Sequence, residues 1–195
     1  MPRNKLLRPK LPKPCHFTVV GLGGVGSIVA RYSACFLASM QKDCHFWMVD
    51  GDKFEPSNAT RMIFGDYGNK AQVVRNELLP RFKDSRLLML AHDEYLTRKN
   101  IKRLIRSGDI VLLCVDNHAT RKLVSKHCET LQNVVLISGG NDGVDEGLRG
   151  TYGNVQVYLR EDGWDLTAPL TEFHPEIENH VDKAPSEMDC LEAAA

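Results

Sequence analysis

The chain has 195 residues, 43% hydrophobic and 26% charged, which is enough for one substantial core and reads as a soluble globular protein. Its 25 Lys and Arg balance 25 Asp and Glu, so the net charge is zero and argues against any global attraction to nucleic acid or a membrane surface. No stretch approaches the roughly 18 apolar residues of a membrane span, and no signal-peptide core opens the chain, so a cytoplasmic protein is expected.

Residues 1–14 form a basic, proline-rich arm carrying Arg3, Lys5, Arg8, Lys10 and Lys13. It reads as a solvated terminus or as an arm reaching a partner or a phosphate. Strand HFTVVG (16–21) leads into a helix over 25–41, whose Gly, Ala and Ser residues let it sit close to a sheet. CHFWMVD (44–50) is a second strand. A helix over 69–79 is predicted to end near Pro80, followed by a strand at 86–90 and a helix over 96–106. DIVLLCV (109–115) is almost continuously apolar, as a strand buried on both faces should be. A helix over 118–131, the strand VVLIS (134–138) and an alternating, antiparallel strand over 151–160 follow. This alternation predicts an α/β fold, doubly wound and mainly parallel, with helices on both faces. The doubly wound unit spans 15–160, and 161–195 is an acidic trailing segment.

The six cysteines, at 15, 35, 44, 114, 128 and 190, include no C-x-x-C pair, so neither zinc nor a disulfide framework is expected. Cys35, Cys114 and Cys128 fall in apolar patterns and read as inert core thiols. Cys190 lies in a polar stretch among Glu187, Asp189 and Glu192, which disfavour its thiolate. It is a surface cysteine, one covered by another segment, or a nucleophile.

Ligands of such a sheet bind beyond the carboxyl ends of its strands, where the strand order reverses. Three places there carry polar chemistry. The first is the loop GLGGVG, with Gly21, Gly23, Gly24 and Gly26, which allows backbone approach to an anion but also serves as a plain tight turn. The second begins at Asp50, where a dinucleotide site places its ribose ligand. It runs through Asp52, Asn58 and Arg61 to Lys70, over roughly twenty residues, a length that is usually functional. An Asn, an Arg able to bind phosphate bidentately and a Lys as point charge suit a clamp for several phosphates better than a nicotinamide site. The third is Asp116, delivered to the sheet edge by the buried strand, as a Mg²⁺ carboxylate or a helix cap shared with Asn117.

GLGGVGS, VDGDKFEPSNATR, GNKA and DIVLLCVDNHATR together resemble the adenylation domain of the ThiF/MoeB family, relatives of the ubiquitin-activating enzymes. GNKA and the Lys/Pro-rich start resemble stand-alone bacterial ThiF-like proteins of mobile-element operons. The resemblance implies ATP and Mg²⁺ as cofactors, with Asp50 on the ribose, Asn58, Arg61 and Lys70 on the phosphates and Asp116 on the metal. It further implies a substrate that is a ubiquitin-like or sulfur-carrier protein ending in glycine, a homodimer completed by the basic arm, and Cys190 as a candidate thioester site in a crossover segment. Met62 departs from the family's usual Gln, and the zinc-binding cysteine pairs are missing. A nucleotide-binding module without turnover and an NAD-dependent oxidoreductase are the other readings the residues leave open.

Overall fold

A computed structural model describes residues 13, 15–60, 62–141 and 153–185. Seven strands form one sheet: β1 (Cys15–Val20), β2 (Cys44–Val49), β5 (Leu87–His92), β6 (Ile110–Leu113), β7 (Val134–Asn141), β8 (Gly153–Glu161) and β9 (Trp164–Asp165). Two further strands, β3 (Lys53–Phe54) and β4 (Gly68–Asn69), pair with each other apart from that sheet. The order across the main sheet is β5-β2-β1-β6-β7-β8-β9. The first five positions are parallel, whereas β8 and β9 are antiparallel additions at one edge.

Alternation along the strands divides the core in two. Phe17, Val19, Phe46, Met48 and Met89 pack under α1 (Gly24–Ser39) and α2 (Lys70–Phe82). Val20, Trp47, Val49, Val111 and Leu113 face the other way. There they meet α3 (Ile101–Leu104), α4 (His118–Cys128), and Leu170 and Ile177 of the short helices α5 (Leu170–Phe173) and α6 (Pro175–Glu178). Gly26, Ser27, Ala30 and Ala34 are the buried residues of α1's first turns, and their small size brings that helix against the sheet. Exclusion of both apolar faces from water, at about 25 cal/mol per Å², is what drives this layering.

Three expectations are corrected. The second helix does not stop before Pro80 but contains it and runs on to Phe82: Leu79 and Phe82 pack against the core on either side, although Pro80 has no N–H to offer the Asn76 carbonyl. The helix expected over 96–106 is one turn. Asn100 Oδ1 accepts from the Thr97 amide and its Nδ2 donates to Glu94 and to the Tyr95 carbonyl, so residues 94–100 are held as a polar turn. Cys128 is fully buried as expected, but Cys35 and Cys114 are only half-buried. The basic arm up to residue 12, Arg61 and Cys190 lie outside the described residues. Among those described, no helix is long and apolar enough to cross a membrane.

Candidate active site

The strand order reverses between β1 and β6, and the chain opens there into a cleft of about 440 Å³. It spans the carboxyl ends of five strands: Tyr95 and Leu96 after β5, Asp50 to Asp52 after β2, the glycine loop after β1, Cys114 to Asn117 after β6, and Gly139 to Asn141 in β7. Pro185 of the trailing segment closes part of its rim.

The loop is shaped by its glycines. Gly21 has φ +83°, a left-handed conformation, and its amide donates to the Val49 carbonyl, tying the loop to β2. Gly23 caps α1 without a side chain, so amides of the first turn remain for a ligand. Gly21, Gly23 and Gly24 line the cleft, but Gly26 does not; a Cβ there would run into the Gly21 carbonyl. Its role is close packing.

Asp50 is 8% exposed and holds two loops together, accepting from the Leu22 amide at 2.5 Å and the Asp52 amide at 2.8 Å. Burial raises its pKa, with those two hydrogen bonds and Lys70 opposing the rise. The long connection that follows is folded back by the β3–β4 pairing, anchored by buried Phe54 stacked on Phe64 at 4.4 Å. This return brings Lys70 beside Asp52, with Nζ 3.0 Å from Oδ2. Tyr95 donates its hydroxyl to the other Asp52 oxygen. Partial burial pushes Asp52 up, but the hydrogen bonds from Tyr95 and Lys70 outweigh it and leave its pKa below the ordinary value. Asn69 caps α2 and donates to the Asp50 carbonyl at 2.6 Å and to Asp93 at 2.7 Å, which fixes the same corner.

Of the sequence-predicted residues, Gly21, Gly23, Gly24, Asp50, Asp52, Lys70 and Asp116 meet around one cleft. Asn58 stands apart: it is buried, outside the lining, and its Oδ1 accepts from the Glu55 amide to close a 3-10 turn over Pro56–Thr60. Met62 lines the cleft directly. Asp116 is exposed on the wall, while Asn117 caps α4 by accepting from the Thr120 amide. Cys114 also lines the cleft, but burial pushes its thiol up to about 11, against the pull of Arg121, so it is a poor nucleophile.

Two lining residues escaped the sequence reading. Tyr95 packs its ring against Gly51, where no side chain would fit, and holds Asp52. Arg121 reaches back from α4 to the Val115 carbonyl. A search of polar residues just past strand ends reaches Tyr95; for Arg121 the signal was its helical position one turn beyond Asn117.

The family model described as the ThiF family matches residues 10–184. The chain belongs to the ThiF family. Among curated ThiF-like relatives, the adenylyltransferase and sulfurtransferase MOCS3 of Drosophila sechellia is 33% identical over 148 residues, covering 72% of this chain and 30% of that protein. MOCS3-2 of Zea mays is 33% identical over 129 residues, 65% of this chain and 26% of the relative. The chain therefore spans 30% or less of the length of these relatives. Its fold is that of E. coli MccB, with a TM-score of 0.59 for the succinimide complex (19% identity, 94% of this chain, 53% of that one) and 0.54 for the ATP complex (17%, 94% and 52%). E. coli tRNA N6-threonylcarbamoyladenosine dehydratase, TcdA, aligns with a TM-score of 0.51 at 22% identity, over 67% of this chain and 54% of that one.

Proposed function

We propose that the cleft binds ATP and that the protein transfers the adenylyl group to a substrate carboxylate, releasing pyrophosphate. The observation that carries this reading is the gathering of the glycine loop, Asp50, Lys70 and Asp116 at the point where the strand order reverses. Asp50 presents a buried carboxylate for ribose hydroxyls. The amides opening α1 and the Lys70 ammonium supply positive potential for phosphates. Arg61 belongs to the same set by its motif. A phosphate at Lys70 competes with Asp52 for the ammonium, so Asp52 and Tyr95 together hold Lys70 ready at the cleft wall.

A carboxylate substrate is already ionised and needs no side-chain base, so positioning and charge neutralisation are what the protein contributes. Asp116 is a hard oxygen donor on the wall, which suits Mg²⁺ shared with phosphate oxygens. Bound there, the ion would neutralise phosphate charge and orient pyrophosphate as leaving group. Among the described residues no group of three or more His, Cys, Asp or Glu could hold a metal by itself.

The substrate class in this reading is a ubiquitin-like or sulfur-carrier protein ending in glycine, acted on in the cytoplasm by a homodimer whose basic arms reach across to the neighbouring clefts. Exchange of labelled pyrophosphate into ATP, dependent on a glycine-terminated carrier and on Lys70, tests it. ATP binding with no exchange for any carrier encoded beside this chain would leave a nucleotide-binding module.

A further inference from the structure

A cation lies at the β6–β7 end of the cleft, opposite the Asp50–Asp52 corner. Arg121 lines the cleft yet is only 8% exposed. Its Nε and Nη2 both donate to the Val115 carbonyl, at 3.1 and 2.9 Å, so a single acceptor fixes the guanidinium plane while Nη1 keeps its donors. It forms no ion pair with a carboxylate among the described residues; Asp116, Glu176 and Asp182 act on it only at longer range. Burial lowers its pKa, because the charged form is poorly solvated there. A buried guanidinium without a carboxylate is costly unless an anion completes it. Gly140 makes room for it: a Cβ there would fall onto the guanidinium, with Cζ 3.2 Å away.

We propose that Arg121 is the receptor for the substrate carboxylate, seating it on the β6–β7 side of the nucleotide. This rests on the adenylation reading above and adds the residue that recognises the acyl partner. A planar, pre-oriented guanidinium suits a carboxylate better than a point charge does. One carboxylate oxygen accepts from Arg121 while the other forms the new bond to the α-phosphorus. The bond from that phosphorus to the bridging oxygen of pyrophosphate breaks, and pyrophosphate leaves with the electron pair. The acyl oxygen held by Arg121 loses negative charge as the bond forms, so Arg121 acts mainly on acyl-substrate KM and little on kcat.

Calorimetric titration with AMP and with 5′-O-(N-glycylsulfamoyl)adenosine, a stable mimic of glycyl-adenylate, tests this. Wild type should bind the glycyl mimic more tightly than AMP. Arg121→Ala should weaken the mimic roughly 10- to 100-fold, the range of a lost charged hydrogen bond, and leave AMP unchanged. Gly140→Ala, which displaces the guanidinium without removing its charge, should show the same selective loss. Where Arg121→Ala fails to fold, Arg121→Lys is read in its place. Equal weakening of both ligands would make Arg121 a nucleotide contact or a structural clamp and overturn the proposal. So would no weakening of the mimic, or a wild type that does not distinguish the ligands. A wild type that binds neither would instead remove the adenylation reading, and this inference with it.

Discussion

Replacing Asp50 with Ala should damage the fold and the nucleotide site together, in proportions the structure sets. The Asp50 carboxylate accepts from the Leu22 and Asp52 amides, and a hydrogen bond to a charged group contributes about 1.5–3 kcal/mol. Leu22 is fully buried, so its amide has no water to turn to once the acceptor is gone, whereas the Asp52 amide lies where water can replace part of its loss. Removing a buried charge gives something back, as the raised pKa of Asp50 indicates. The net cost is about 2 kcal/mol, or about 4–8 °C in Tm for a chain of this size. Thermal unfolding followed by circular dichroism reads it. Affinity for a non-hydrolysable ATP analogue should fall roughly 10- to 100-fold in the same variant. Asp50→Asn keeps one acceptor oxygen and should recover part of the Tm but little of the affinity, which separates a ribose contact from a collapsed loop. If Asp50→Ala leaves Tm and affinity both unchanged, neither the loop-holding role nor the ribose assignment survives.

Lys70→Ala and Arg61→Ala should each slow adenylation about 100-fold or more while moving Tm little, since the Lys70–Asp52 pair is half open to solvent on the Asp52 side; unfolding with undiminished turnover per folded molecule would contradict this. Asp52 has a depressed pKa, so its contacts contribute stability that is fully present above the ordinary carboxylate range and is lost as pH falls through the lowered value. The Tm gap between wild type and Asp52→Asn should therefore narrow from pH 7 toward pH 3, and a constant gap would show that the charge is immaterial. If Cys190 follows adenylation with a thioester, a thiol-sensitive adduct with the carrier should appear on a non-reducing gel and vanish in Cys190→Ser while pyrophosphate exchange persists. Exchange without any adduct would confine the chemistry to the acyl-adenylate.

Much of this architecture was legible because buried parallel strands announce themselves. DIVLLCV had to be central, and GLGGVG had to turn a strand into a helix at close range. Asp50 and Lys70 were legible as cleft residues by the same logic of strand ends and helix starts. What stayed hidden depends on contacts between distant segments. Asn58 reads as a phosphate ligand in its motif; its amide oxygen accepts from the Glu55 amide three residues earlier, and its side chain lies outside the cleft lining. The segment 96–106 has helical periodicity, but Asn100 uses its side chain to hold a turn, and that turn delivers Tyr95 to Asp52. Arg121 sat in plain view in VDNHATR. Its orientation comes from the Val115 carbonyl, and the space it fills comes from a glycine in the next strand.

The central claim, that this is an ATP cleft and not a dinucleotide site, is tested most directly by titrating the protein with AMPCPP in the presence of NAD. The account predicts saturable binding at one site per chain that NAD does not displace and that Asp50→Asn weakens. Displacement of AMPCPP by NAD, or NAD binding in its place, would contradict it.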